Sequence, residues 1–235
     1  IKFTPIGVFC LMSWVVAAQG PKILGSLGLV LLAAYIGYII HTVLVYSLSV
    51  KVFAGMSPLK FFKGILPAAV FAFTSTSSVA SLPVSKECCD EMGVEKDISS
   101  FVLPLGATIN MDGTAIYMGV AAVFAAEVYG IPLTLSDQLT VMLMGLLASI
   151  GTAGVPGAGL IMVSLVFTQI SIPLEALALI AGIDRVLDMI RTSINVLGDA
   201  TGALLVSKLE GDLNTEPFAE NEDVSELNTG TETFE

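Results

Sequence analysis

The sequence predicts an all-α membrane protein, built from transmembrane helices and two re-entrant helical hairpins. Three observations carry that expectation. Of the 235 residues, 54% are hydrophobic and only 13% charged, with a mean hydropathy of +0.86, whereas soluble domains carry about 25% charged residues. Residues 23–50, 65–85 and 138–174 hold no formal charge, and roughly 20 apolar residues suffice to cross a bilayer. Two of those apolar stretches are interrupted at mid-length by hydroxyl residues or by glycine and proline, which a simple span does not explain.

The elements follow in order. Pro5 to Ala18 reads as a transmembrane helix, ended by Gln19-Gly20-Pro21. Ile23 to Phe53 reads as a second, longer one. Lys51, Lys60 and Lys63 then cluster in a short loop, which the positive-inside rule makes cytoplasmic. GILPAAVFAFTSTSSVASLPVSKE is apolar with five hydroxyl residues at its centre. Backbone leaves the helix inside a membrane only where protein or water satisfies it, so a re-entrant hairpin is expected, turning at Ser77-Ser78 and leaving at Lys86-Glu87. FVLPLGATINMDGTAIYMGVAAVFAAEVYG reads as a helix interrupted at Gly106, Asn110, Asp112 and Gly113. LTVMLMGLLASIGTAGVPGAGLIMVSLVFTQI reads as a second hairpin, with Gly151, Gly154, Pro156, Gly157 and Gly159 at its centre. Pro173 to Val206 reads as a last helix. Two broken apolar segments, each followed by a helix with intramembrane polar residues, is the pattern of a repeat-built secondary transporter with its site near the midplane.

The net charge of −11 resides mostly in the tail: beyond Lys208 there are nine acids and no base. That tail is polar and poor in large apolar residues, so it is expected to be disordered, with a docking segment as the other reading. Ile1 opens the chain without a signal-peptide n-region and is read as starting inside a longer protein. Cys10 is expected in an apolar helix. Cys88 and Cys89 are expected as reduced thiols in a charged cytoplasmic loop, with no metal-ligand spacing to the lone His41. No nucleic-acid partner is expected.

Charge returns abruptly in DRVLDMIRTSINVLGD, residues 184–199. At about 100° per residue, Asp184, Asp188, Arg191, Thr192, Asn195 and Asp199 share an arc of about 100°. Val186, Leu187, Ile190, Ile194 and Leu197 lie outside it. An unpaired charge in hydrocarbon costs several kcal/mol, so such residues face a cavity or one another. An Asp188–Arg191 structural ion pair is one reading, and a ligand- and ion-binding face the other. The planar fork of Arg191 suits a carboxylate, and Asp188, one turn away, suits an ammonium. Together they suit an acidic amino acid. Asp199 and Asn195 offer hard oxygens that favour Na⁺ over a transition metal. Asp112 within NMDGT is either a further ion ligand or a satisfied acid at a helix kink. SIGTAGVPGAG is either a gate or a stretch of small-residue helix packing.

Four motifs, SSVASLPV, LPLGATINMDGTAIY, IGTAGVPGAG and DMIRTSINVLGD, occur in this order. Together they resemble the sodium/dicarboxylate symporter family, which includes glutamate and aspartate transporters, over Lys2 to Leu209. The resemblance implies the glutamate-transporter-like fold, with eight transmembrane helices and two re-entrant hairpins in a homotrimer, of which this chain is the C-terminal part. Residues 1–20 would be part of scaffold helix five, 21–55 helix six, 62–88 hairpin one and 98–130 the interrupted helix seven. Residues 136–170 would be hairpin two, 173–207 helix eight and 209–235 the acidic tail. It further implies a multi-pass protein of the cell membrane with a cytoplasmic C-terminus, working by an elevator motion of its transport domain.

Site roles implied by the resemblance fall on matching positions. Arg191 would bind the substrate side-chain carboxylate and Asp188 its amino group. Thr192, Asn195, Thr114, Ser78, Val155 and Gly159 would complete the shell. One sodium site would use Gly106, Asn110, Asn195 and Asp199; a second, Thr108 with carbonyls of Ser149, Ile150 and Thr152; a third, Asn110 and Asp112. Na⁺ is the only ion implied, and no organic cofactor. Hairpin two would gate the site.

Three departures from the family pattern are visible. Val79 and Ala80 follow a shortened serine run. Thr76 and Met189 stand where many relatives carry a further arginine, and Arg185, one turn earlier on helix eight, is a candidate substitute. Met118 stands where animal members carry a glutamate linked to proton coupling, so coupling to sodium without that proton carrier is expected. A C4-dicarboxylate or neutral amino acid symporter is the alternative within the family. Arg191 argues against neutral substrates because a buried arginine without an anion is costly. An anion channel, and an intramembrane hydrolase using Ser77 or Ser78 with Asp112 or Asp188, are the readings from other classes. No nucleophile–base motif supports the hydrolase, and an enzyme is not expected.

Overall fold

A computed structural model of the chain describes residues 4–211, 213 and 214, and among these all regular structure is helical. α1 spans Thr4–Gln19 and stops at Gly20 (φ +79°) and Pro21. α2 runs Ile23–Ala54 without interruption, passing through two π-helical turns at Thr42–Tyr46 and Val50–Ala54. Gly55 closes it in the left-handed conformation, the usual glycine role one residue past a helix.

Ser57 is extended, and Pro58 at the first helical position opens α3, Pro58–Ser75. Thr76 ends α3 at φ +53°, an uncommon conformation for a residue with a branched Cβ. Ser77, extended at φ −140°, caps α4, Ser78–Glu91, by accepting from the Ala80 N–H at 3.1 Å. Thr76 and Ser77 thus reverse the chain, and α3 and α4 pack on each other as a helical hairpin.

α5, Lys96–Ile109, and α6, Asp112–Val128, are one helical run broken at Asn110 and Met111. α7, Leu135–Ser149, starts on a capping box in which Thr134 and Asp137 each satisfy the other's backbone N–H. An irregular segment, 150–157, joins it to α8, Ala158–Gln169, and the two helices touch. α9, Ala176–Glu210, is 35 residues long and ends at left-handed Gly211. At 1.5 Å per residue it extends roughly 50 Å.

α9 is the hub, packing against α1 to α6 and α8. From Arg191 to Thr201 every residue is buried, so Ile194 and Leu197, expected off the polar stripe, are buried as deeply as the stripe itself. The outer surface is apolar: Leu29, Leu32, Ile36, Leu44 and Leu48 of α2 are all more than 45% exposed. A continuous patch of this kind suits contact with lipid or protein rather than water. Ile23–Ala54 and the broken Lys96–Val128 unit are long and apolar enough to cross a membrane.

Two expectations need correction. Cys88 and Cys89 are not in a loop; they occupy the last turns of α4, 3% and 0% exposed, because α4 continues to Glu91. The last helix does not run from Pro173 to Val206 but is shifted toward the C-terminus, to Ala176–Glu210, since the chain turns at Leu174-Glu175 and has no glycine stop before Gly211. Cys10 does lie in α1, exposed. Nearly all of the acidic tail lies outside the described residues.

Candidate functional site

The α9 stripe folds onto itself. Arg191 is 2% exposed and donates to Asp188 Oδ1 at 2.7 Å and Asp184 Oδ1 at 3.4 Å, and both acids are buried as well. Thr192 Oγ1 donates to the same Asp188 oxygen at 3.3 Å. Below the guanidinium lies the Tyr117 ring, 4.3 Å from Arg191 Cζ, and the Tyr117 hydroxyl donates to Asp184 Oδ1 at 2.8 Å. One cation therefore sits among two carboxylates and an aromatic face, a cluster that carries a net negative charge when both acids are ionised.

Both hairpin turns close over this cluster. Ser77 Oγ and the Val79 N–H, at 2.8 and 3.3 Å, donate to one acceptor, the Gly154 carbonyl. The Gly157 N–H donates to Asp188 Oδ2 at 3.1 Å from a residue at φ +80°. Gly159 is pressed against the guanidinium: a Cβ there would lie 2.6 Å from Arg191 Cζ. The cavity they border is about 10 Å³. Ser78, Thr114, Val155, Gly159, Asp188, Arg191, Thr192 and Asn195 all line it, as do Thr76, Met111 and Thr152. All eight candidate substrate residues thus meet at one place, drawn from α4, α6, α9 and the 150–159 segment. Val155 also faces outward, 51% exposed.

The break between α5 and α6 lies against α9. Gly113 has no room for a side chain: a Cβ would meet the Arg191 carbonyl at 2.7 Å and Asn195 Oδ1 at 2.9 Å. The Gly113 N–H donates to Asn195 Oδ1 at 2.9 Å, while Asn195 Nδ2 donates to Thr114 Oγ1 at 3.3 Å and approaches Met111 Sδ at 3.0 Å. Asn110 Nδ2 donates to Asp199 Oδ1 at 2.9 Å and to the Asn195 carbonyl at 3.4 Å. Gly106 abuts the same carboxylate, so that a Cβ there would lie 2.6 Å from Asp199 Oδ1. Gly106, Asn110, Asn195 and Asp199 therefore converge, as do Asn110 and Asp112, which both border Gly198.

The remaining ion candidates do not converge. Thr108 is exposed and its hydroxyl donates back to the Leu105 carbonyl at 2.8 Å; Ser149 and Thr152 likewise bond within their own segment, to Leu146 and Ala148, and Ile150 is exposed. No hydrogen bond joins Thr108 to 149–152. Among the described residues there is no group of three or more His, Cys, Asp or Glu suited to a metal.

Several residues escaped the sequence reading. Asp112 Oδ2 is held by His41 Nε2 at 2.8 Å and by a short bond from the Tyr46 hydroxyl, which also donates to the Ile194 carbonyl at 2.9 Å. The first π turn of α2 places that pair, and π turns gather at functional positions. Tyr117, one turn beyond Gly113 on α6, had a visible signal as a polar tip in an apolar helix. Met118, by contrast, is fully buried in the core and does not line the cavity.

The chain is thus a helical bundle with apolar outer faces and an ion-paired cavity under two helix–helix turns. The family model described as "Sodium:dicarboxylate symporter family" matches residues 1–209, and the chain belongs to that family. It is 38% identical over 233 residues to human "Excitatory amino acid transporter 2", covering 97% of this chain and 41% of that protein. It is 41% identical over 210 residues to the "Excitatory amino acid transporter" of Caenorhabditis elegans, covering 87% and 41%. With the "Proton/sodium-glutamate symport protein" of Bacillus subtilis it shares 38% identity over 214 residues, 91% and 50% of the two chains. The chain spans about half or less of the length of these relatives. A family of transporters weighs against the hydrolase reading.

Proposed function

We propose that the full-length protein is a sodium-coupled secondary symporter of acidic amino acids, L-glutamate or L-aspartate, and that this chain carries its binding site. The observation that supports this most directly is the convergence of eight candidate substrate residues, from four parts of the chain, on one buried cavity whose single cation is Arg191. A buried charge that loses its partner costs about 3–5 kcal/mol. A ligand carrying a side-chain carboxylate and an ammonium avoids that cost: its side-chain carboxylate takes Arg191 while its ammonium takes Asp188, so both side chains exchange partners and neither is left bare. A neutral amino acid supplies no side-chain anion, and a plain dicarboxylate no cation. These are the alternative substrates.

Sodium ions are the co-transported cargo. Gly106, Asn110, Asn195 and Asp199 make the best-formed candidate site, with Asn110 and Asp112 as a second and Thr108 with Ser149, Ile150 and Thr152 as one that needs the 150–157 segment to move. The α3–α4 and α7–α8 pairs act as re-entrant hairpins, and the glycines of the second let it open as the gate. Ions and substrate that stabilise the same closed state raise each other's affinity. In the bilayer the full-length chains assemble as homotrimers with cytoplasmic C-termini, each moving its site by an elevator step.

The test is uptake of labelled L-aspartate into liposomes holding the full-length protein, with and without a sodium gradient, alongside Arg191→Ala. Sodium-driven accumulation that Arg191→Ala abolishes is expected. Uptake indifferent to sodium, non-saturable flux as in an anion channel, or full activity in Arg191→Ala overturns the reading.

A further inference from the structure

The turn between α4 and α5 is closed from inside. The Val94 N–H donates to the Cys89 carbonyl at 3.0 Å and the Gly93 N–H to the Asp90 carbonyl at 3.1 Å. This is the pair of bonds that ends a helix on a left-handed residue, here Gly93 at φ +96°. Met92 and Val94, on either side, are buried. α3 presses on Met92: a Cβ on Gly64 would lie 2.6 Å from Met92 Cγ and Sδ. The Met92 N–H is taken by the Cys88 and Cys89 carbonyls, so the turn uses its own amides and leaves the Gly93 carbonyl to be satisfied from elsewhere.

The end of the chain supplies that donor. α9 stops at Gly211, and three residues on, the Asn214 N–H donates to the Gly93 carbonyl at 2.9 Å. The approach leaves no room for a side chain, since a Cβ on Gly93 would lie 1.8 Å from the Asn214 carbonyl oxygen. Leu213, beside it, packs partly buried against the hydrophobic core. An apolar anchor and a backbone hydrogen bond therefore fasten these two residues to the turn.

α4 is 14 residues long, so this contact lies roughly 20 Å from the tip at Thr76-Ser77. The first hairpin is held at both ends, its tip on the Gly154 carbonyl and its open end on the terminus of α9. The second hairpin differs. At its open end the Ile131 N–H returns to the Ala126 carbonyl at 2.8 Å and the Ile172 N–H to the Phe167 carbonyl at 2.9 Å. Among the described residues no backbone bond joins that end to another element.

We propose that Leu213 and Asn214 form a strap that pins the open end of the first hairpin to the end of α9, so that α3, α4 and α9 move as one body. Detaching the strap frees the α4–α5 turn and loosens the first hairpin alone. The proposal does not rest on the transport reading.

The test is amide hydrogen exchange on the full-length protein in lipid nanodiscs, resolved to single amides by fragmentation in the mass spectrometer. In the unaltered protein the Asn214 amide should exchange at least ten-fold more slowly than an unprotected one. Asn214→Pro removes the donating N–H, and a stop after Gly211 removes the strap with all that follows. Both should speed exchange of residues 92–94 at least five-fold and leave residues 190–201 of α9 unchanged. A stop after Thr215 keeps the strap and should exchange as the unaltered protein does. An unprotected Asn214 amide, or unchanged exchange at 92–94 in both variants, overturns the proposal. So does equal acceleration in the stop after Thr215, which assigns the effect to the acidic tail beyond. Acceleration that extends through 190–201 also overturns it, because the contact then supports the whole fold rather than one hairpin.

Discussion

Arg185 of α9 donates a short hydrogen bond to Thr76 Oγ1, the left-handed residue that ends α3 and lines the ion-paired cavity. A cation on the central helix is thus tied to the tip of the first hairpin, at Thr76, one of the two positions where the family resemblance leads one to expect an arginine. A hydrogen bond to a charged group contributes about 1.5–3 kcal/mol. Arg185→Ala is expected to raise the KM for L-aspartate roughly ten-fold, with Thr76→Val moving it the same way. Unchanged KM and turnover in Arg185→Ala would show that the contact is only structural.

Gly159→Ala is a sharper probe of the cavity. The new Cβ would overlap the Arg191 guanidinium, 2.6 Å from Cζ. That group is the end of a flexible side chain and can withdraw, so the fold should survive with a stability change of about 1 kcal/mol or less. Substrate affinity should fall by at least ten-fold, because the fork no longer sits where a carboxylate must land. Equilibrium binding and a thermal melt on the same sample check the two halves.

Asp199→Asn tests the proposed ion site at a residue outside the proposed substrate shell. Asp199 accepts from Asn110 and abuts Gly106, and the substitution replaces one anionic oxygen by an amide. The sodium concentration for half-maximal uptake should rise by about ten-fold or more while uptake at saturating sodium keeps its preference for acidic substrates. Unaltered sodium dependence would remove Asp199 from the ion path.

Tyr46→Phe isolates the support of Asp112. The lost hydroxyl bridges the Asp112 carboxylate and the Ile194 carbonyl, and leaving both acceptors short of a donor should cost about 1–3 kcal/mol, read as a lower Tm. If Asp112 takes part in ion binding, the same variant should shift sodium dependence; a Tm loss alone would assign the pair a structural role.

The elements of this fold are legible in the sequence because each boundary is marked by residues with few conformational options. Gly20-Pro21 ends the first helix where expected, and the TSTSS run does reverse the chain, at Thr76-Ser77, one residue before the expected Ser77-Ser78. The stripe on α9 is legible because six polar residues at helical spacing leave an apolar span no other solution. The exceptions share one cause, which is partners distant in sequence. Nothing local indicates that Tyr46 and His41 meet Asp112, that Tyr117 lies beneath Arg191, or that α4 continues far enough to bury Cys88 and Cys89. The shift of the last helix from Pro173–Val206 to Ala176–Glu210 has a different origin, as no proline or glycine marks its true limits until Gly211.

The Gly154 carbonyl receives both donors from the first hairpin, and it belongs to the backbone. At about 0.5–1.5 kcal/mol for each bond, this latch is worth about 1–3 kcal/mol, so it alone would leave the tips parted roughly 1–15% of the time. A contact this weak seals the cavity yet yields to thermal agitation, and the acceptor itself is one that no side-chain replacement can delete.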